Sequence, residues 1–177
     1  NTVKDIPARI GALREAQSRW MAARNRHDNS EKIWFEKLPD AIDLRNTILR
    51  AMRFAFSNNS DLKGRVAAIA KGSSQADMIQ DLNDLAVLGK ENPAPLQAIN
   101  FEMSILDTAA ATAVEMAALL GAVTTERSFC NSVIKIRNQA FTYLKEPVSE
   151  LRRYGQFLFW RDQARLEGYT SEYSRRT

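Results

Sequence analysis

The stretch that decides the fold runs from residue 96 to residue 120 and reads LQAINFEMSILDTAAATAVEMAALL. Its apolar residues are separated alternately by three and four positions, which places them along one side of an α-helix. This first stripe consists of Leu96, Ile99, Met103, Leu106, Ala110, Ala113, Ala117 and Leu120, and a second stripe consists of Phe101, Ile105, Ala109, Met116, Leu119 and Val123. A helix that is apolar on two sides is typically a central helix with several neighbours. The residues predicted to be buried on it are Leu106, Ala110, Ala113 and Ala117.

Long helices are also predicted on both sides of this one. Upstream, apolar residues recur at helical spacing over residues 6–23 and 34–56, and the polar segment HDNS at residues 27–30 predicts a turn between them. Downstream, the segment TTE at residues 124–126 predicts a turn before a helix that kinks at Pro147 and ends near Gly168. Two long helices joined by a short turn bury their apolar sides together, so each pair is predicted to form an antiparallel hairpin.

Shorter helices are predicted between the two hairpins. Residues 57–61 form a loop by composition, a helix follows over residues 62–71, and Ser74 with Asp77 is typical of a capping box that opens another helix. Residues 91–95 contain two prolines and predict a linker. The predicted fold is therefore all-α, with long antiparallel helical hairpins forming a helical bundle with a short helical insert. The predicted domains are residues 1–92, a hairpin plus two short helices, and residues 93–177, a long hairpin, packed as one compact unit.

Composition sets outer limits on the class of protein. Hydrophobic residues make up 45% of the 177 residues, enough for a core. We find no run of 18 apolar residues, so no membrane span is predicted. Cys130 is the only cysteine and is expected to be a small packed residue. The expected location is cytoplasmic. Since the chain begins at Asn1 rather than methionine, a trimmed leader or a neighbouring domain stays open.

The sequence offers few residues for catalysis or metal binding. One histidine, His27, and one cysteine cannot supply a zinc site or a di-iron site. Asp77, Asp81 and Asp84 share one side of a helix, where a solvated polar face is expected rather than a magnesium site. Gly-rich phosphate loops and nucleophile motifs are absent from the sequence. We therefore expect no enzyme activity, no cofactor and no bound metal.

Two short segments of the sequence are similar to each other. Residues 42–46 read IDLRN and residues 134–138 read IKIRN, which indicates either a duplication or a coincidence. Arg45 and Arg137 occupy the same place in the two segments. Both are interpreted as polar groups that cross a hairpin seam, with a shared anion pocket as the alternative.

The C-terminal end is basic and aromatic. Its arginines include Arg152, Arg153, Arg161 and Arg165. The favoured interpretation is a helix end that packs Phe157, Leu158 and Trp160 inward while its arginines reach solvent. Contact with a nucleic acid or an acidic protein is the alternative.

These observations favour a non-enzymatic helical scaffold or protein-interaction domain that binds a protein, either itself or another. The alternatives are a ligand-sensing domain of a receptor and a nucleic-acid-binding protein. Arg45, Arg137, Arg152, Arg153, Arg161 and Arg165 are the candidate contacts to an anion or partner.

Overall fold

The computed structural model describes residues 2–170, which are helical almost throughout. The structure is 88% helical, and the described residues contain no strand. Its elements are α1 Thr2–Ala55, α2 Ser60–Ile69, α3 Gln75–Glu91, α4 Pro93–Ala98, α5 Ser104–Leu158, α6 Gln163–Leu166 and a 3₁₀ turn Glu167–Tyr169. The two long helices pack against each other, and the short helices α2 to α4 lie between them in sequence. The prediction of an all-α hairpin bundle with a short helical insert is confirmed.

The two predicted turns inside the long helices are wrong. Residues 27–30 lie within α1, and residues 124–126 lie within α5. Neither segment contains glycine or proline, and each of their polar residues costs a helix only several tenths of a kcal/mol. The Thr124 hydroxyl also donates a hydrogen bond to the Leu120 carbonyl at 2.9 Å, which satisfies that side chain inside the helix. Each predicted pair of helices is therefore one continuous helix.

The predicted linker at residues 91–95 and the predicted helix start at Leu96 are also wrong. Pro93 begins the short helix α4, where its missing N–H costs no helical hydrogen bond. The chain then turns at Asn100, which has a φ of 57° in the left-handed region, and α5 begins only at Ser104. The prolines therefore start a helix, and the first members of the apolar stripe lie outside α5.

Contacts divide the chain into two compact units. Unit 1 consists of residues 1–26 and 127–177, and unit 2 consists of residues 27–126. The division falls at 26/27 and 126/127, whereas the predicted domains divided the chain at 92/93. Each unit contains a section of both long helices.

Unit 2 contains a conventional hydrophobic core. Within it, Lys37 on α1 and Glu115 on α5 form an ion pair of 3.1 Å, and α2, α3 and α4 supply further apolar side chains. The largest fully buried side chains are Trp34, Phe56, Ile48, Met52, Leu82, Leu85, Leu88, Leu96, Leu106, Met116 and Val66. The short helical insert therefore completes the core of this unit.

The buried side of α5 draws on both predicted stripes. Leu106 and Ala113 from the first stripe are buried, whereas Ala110 is half-buried and Ala117 is exposed. Ala109 and Met116 from the second stripe are buried instead. Spacing alone could not decide between two apolar stripes, because the choice depends on where the neighbouring helices lie.

Replacing Ala113 with leucine is expected to lower the free energy of unfolding of the protein by about 1–3 kcal/mol, because extra methyl groups must enter a packed region. The same change at Ala117 is the matched control and is expected to shift it by less than about 0.5 kcal/mol, because that side chain is exposed. Urea unfolding of both variants beside the parent protein measures the difference. Equal unfolding energies would contradict the observed packing.

The predicted capping box at the start of α3 is confirmed. The Ser74 hydroxyl accepts a hydrogen bond from the Asp77 N–H at 3.1 Å, and the Asp77 carboxylate accepts one from the Ser74 N–H at 2.9 Å. That backbone hydrogen bond is the main cause that lowers the pKa of Asp77 below its ordinary value, with a further contribution from the Ser74 hydroxyl. The start of α3 is thus set by local side chains.

Unit 1 has a much thinner core. Its sections of α1 and α5 run antiparallel, since Arg9 contacts Tyr143 and Gln17, further along α1, contacts Arg137, further back on α5. The buried apolar side chains described in this unit are small and consist of Ala16, Ala23, Val133 and Pro147. Two helices that meet through such small residues leave most of their larger apolar residues at the surface.

Among the described residues, α5 is the one helix long and apolar enough to cross a membrane. An 18-residue window of it has a mean hydropathy of 1.4, and 22% of that window is buried. Length and composition do not distinguish a membrane-crossing helix from the core helix of a soluble protein. Leu106, Ala109, Ala113 and Met116 of α5 lie in the core of unit 2. The expected absence of a membrane span stays a prediction.

Candidate interaction surfaces

Arg45 belongs to a buried ion pair within unit 2. Its Nε donates a hydrogen bond to Asp81 Oδ2 at 2.6 Å, which joins α1 to α3. Asp81 is only 4% exposed and is the one buried charged residue among those the structure describes. Removing either charge would leave the other in a poorly solvated place. Arg45 therefore has a structural partner where the sequence predicted a candidate anion contact.

Arg137 occupies an equivalent local setting within unit 1. Its Nε donates to Gln17 Oε1 at 3.1 Å, and its guanidinium lies 4.8 Å from the centre of the Trp20 ring. Arg45 and Arg137 also each donate through Nη1 to the asparagine that follows in sequence, at 3.4 Å and 2.8 Å. The similar pentapeptides thus share a local arrangement, and each arginine joins two helices of its own unit.

The three aspartates of α3 have three different roles. Asp77 caps the helix, Asp81 pairs with Arg45, and Asp84 accepts a hydrogen bond from Gln80 Nε2 at 2.7 Å. The expected solvated face is therefore wrong for Asp81. The described residues contain no group of three or more His, Cys, Asp or Glu side chains placed to hold a metal ion.

One side of α5 in unit 1 exposes large apolar residues at intervals of seven. Phe129, Ile136 and Tyr143 are all about half exposed, and we call them the heptad face. The Arg26 guanidinium lies 5.2 Å from the Phe129 ring centre, and the Arg9 guanidinium lies 3.7 Å from that of Tyr143. An interval of seven keeps these residues on one side of α5, where they form an exposed apolar line beside two arginines of α1.

The end of α5 carries a second exposed group, which we call the C-terminal patch. It consists of Leu151, Tyr154, Phe157, Leu158 and Trp160. The prediction that Phe157, Leu158 and Trp160 pack inward is wrong, since Phe157 is 76% exposed and the other two are exposed to a similar degree. The α5 helix ends at Leu158 rather than near Gly168, so the chain turns before it can cover these side chains.

The turn after α5 is fixed by a small contact at Gly155. The Tyr169 ring stacks on Phe159 with centroids 5.6 Å apart, and its carbonyl accepts a hydrogen bond from Gln156 Nε2 at 3.1 Å. A Cβ atom at Gly155 would collide with the Tyr169 ring, so only glycine fits there. Tyr169 therefore folds back onto α5 at Gly155, and the C-terminal patch beside it is exposed among the described residues. Sequence reasoning did not single out Gly155.

Two of the four predicted C-terminal arginines contact rings of this patch. Arg161 lies 4.4 Å from the Trp160 ring centre, and Arg153 lies 5.6 Å from that of Tyr154. Arg165 lies 5.3 Å from the Phe159 ring centre and 3.4 Å from the Asp162 carboxylate, and Arg152 is exposed. The structure thus brings Arg153 and Arg161 onto exposed rings of the patch, and it does not bring Arg152 or Arg165 onto them. Tyr173, Arg175 and Arg176 of the same basic and aromatic segment lie outside the described residues.

The two units carry opposite net charges. Unit 1 contains 16 lysines and arginines against 7 aspartates and glutamates, a net charge of +9. Unit 2 contains 9 against 14, a net charge of −5. A charge of this size steers partners of opposite sign toward unit 1.

Depressions on the described surface are shallow and open to solvent. One depression has a volume of about 450 Å³ and lies between the start of α3 and α5, and another of about 230 Å³ lies beside Val3 and Tyr154. No protein-family model, curated protein or solved structure matches this chain. The exposed apolar residues and the net positive charge of unit 1 are the features that bear most directly on function.

Proposed function

We propose that this protein is a non-enzymatic helical scaffold that binds a partner protein along the heptad face of unit 1. The observation that carries the proposal is the exposure of Phe129, Ile136 and Tyr143 at intervals of seven. Two antiparallel helices bury one stripe each, and a further helix laid along this face would cover a second stripe. Because the core of unit 1 is small, burial of its exposed apolar residues against a partner would add to its stability.

The charge of unit 1 favours an acidic partner over a second copy. Two copies that met through this unit would place two units of net charge +9 against each other. The carboxylates of an acidic helix would instead be attracted by Arg9 and Arg26 beside the face. Arginines and aromatic residues are also the types that contribute most to protein interfaces. Nucleic acid is the second candidate, favoured by the same charge, but Ile136 in the middle of the face offers no ring for base stacking.

The test places a photo-crosslinking residue at Ile136 in the cells that make the protein. The matched control is the same residue at Val114, an exposed apolar position on α5 in unit 2. We expect a discrete acidic protein to crosslink at Ile136 and not at Val114. In a direct assay with that protein, Ile136→Glu should weaken binding about tenfold or more and Val114→Glu should not.

Each other outcome corrects the proposal. Crosslinks to a second copy would keep the scaffold and overturn the acidic partner. Crosslinks to nucleic acid would replace the scaffold with the nucleic-acid alternative. A small molecule crosslinked at Ile136 in place of a protein would favour the receptor alternative. Equal crosslinking at Ile136 and Val114 would show that the heptad face is not a specific binding surface.

A further inference from the structure

We propose that the C-terminal patch binds the surface of an anionic phospholipid bilayer. The patch shares no residue with the heptad face, and this inference does not depend on the proposed protein partner. Leu151, Tyr154 and Leu158 are spaced as i, i+3 and i+7, which puts them on one side of the last turns of α5. Phe157 stands next to that line, and Trp160 follows in the turn.

Basic side chains border this apolar side. On a helix, Arg153 projects beside Tyr154 and Phe157, whereas Arg152 lies about 100° from Leu151 around the helix axis. Arg161 lies against the Trp160 ring. Arginine stems lie along apolar surface while their guanidinium groups reach outward, so apolar side chains could enter the acyl boundary while the arginines meet lipid phosphates.

The residue types match the depth profile of a bilayer interface. Tryptophan and tyrosine concentrate at the level of the headgroups, and leucine and phenylalanine enter the hydrocarbon edge. Each arginine near an anionic leaflet adds electrostatic attraction that falls with ionic strength. The +9 charge of unit 1 extends this attraction beyond the patch itself.

A bilayer fits the patch better than other acidic partners do. A stable protein interface uses about 20–30 residues on each side, whereas five apolar residues at a helix end present a small projecting surface. A bilayer accepts such a surface without a matching shape. Two of the five residues are leucines, which cannot stack on nucleic-acid bases, and protein–nucleic acid interfaces are mostly polar.

The experiment is co-sedimentation of the full chain with lipid vesicles. One set contains phosphatidylcholine alone, and the other contains equal parts of phosphatidylcholine and phosphatidylserine. We expect binding to the anionic vesicles, weak binding to the neutral ones, and release as salt is raised. Phe157→Ala is expected to weaken binding about tenfold or more, because a large apolar side chain no longer enters the bilayer.

A matched variant separates this effect from a general loss of apolar surface. Phe54 is 70% exposed on the acidic unit 2, close to the exposure of Phe157, and Phe54→Ala should leave vesicle binding unchanged. Replacing Arg152 and Arg153 with glutamine should weaken binding to anionic vesicles about fivefold per arginine and leave neutral vesicles unaffected. Circular dichroism of each variant checks that the fold is retained.

Three results would overturn the proposal. The first is no binding to anionic vesicles, and the second is equal binding to both vesicle types. The third is equal loss in Phe157→Ala and Phe54→Ala. A salt-dependent shift of duplex DNA or RNA that Phe157→Ala abolishes, without vesicle binding, would assign the patch to nucleic acid instead.

Discussion

Replacing Arg45 with alanine is expected to lower the free energy of unfolding by about 3–5 kcal/mol. The physical reason is that the Asp81 carboxyl group, only 4% exposed, would be left in the interior without the guanidinium partner that lies 2.6 Å away. Around it, α3 contributes Leu82 and Leu85 to the core, so little water can reach the carboxylate. Chemical denaturation monitored by circular dichroism near neutral pH measures the loss.

Two further variants make this prediction specific. Lys37→Ala breaks an ion pair whose two side chains are about half exposed, and it is expected to cost less than about 1 kcal/mol. The double variant Arg45→Met with Asp81→Leu removes both charges together and is expected to be much more stable than Arg45→Ala alone. If Arg45→Ala cost no more than Lys37→Ala, the Arg45–Asp81 pair would not be buried in solution.

Trp34→Ala is expected to be as damaging, at about 3–5 kcal/mol, because it deletes the largest buried side chain of unit 2. Trp34 is 2% exposed, and its Nε1 has no hydrogen-bond partner among the described residues. Trp34→Phe keeps most of the ring volume and removes that unpaired polar atom, so it should cost clearly less than the alanine change. Thermal unfolding of the two variants separates the volume of the ring from its polar atom.

Trp160→Ala serves as the matched control, and its expected effect reverses the prediction made from sequence. Inward packing of Trp160 would give a loss of about 3–5 kcal/mol on deletion. In the structure Trp160 is 65% exposed, so the expected change is within about 0.5 kcal/mol. A large loss of stability on Trp160→Ala would show that the end of α5 is covered in solution.

The two proposals give the exposed residues of unit 1 separate roles. The heptad face is a long surface suited to a helix, and the C-terminal patch is a compact surface at the end of α5. A scaffold of this kind would hold its protein partner near an anionic membrane. The two surfaces can be tested independently, because Ile136→Glu and Phe157→Ala alter different residues of α5.

Much of the fold follows from the sequence alone. The alternation of three and four positions around Leu106 and Ala113 specifies a long helix with two apolar sides, whatever surrounds it. Ser74 and Asp77 fix the start of α3 through hydrogen bonds within four residues of chain. The presence of only one histidine and one cysteine in the sequence limits the metal chemistry of the chain in the same direct way. These features depend on neighbours in sequence, so they can be predicted from the sequence without knowledge of the fold.

Only the tertiary structure decided which side chains are buried or exposed and where the long helices continue without a break. Residues 27–30 have weak helix propensity, yet α1 continues through them because packing along a long helix outweighs a cost of about 2 kcal/mol. Asp81 is buried because α3 lies against Arg45 on α1, and Tyr169 folds back onto Gly155 while Trp160 remains exposed. In each case the deciding contact joins residues far apart in sequence, or depends on where the chain reverses. The energy of such contacts depends on distances in three dimensions, which residue spacing in one dimension does not contain.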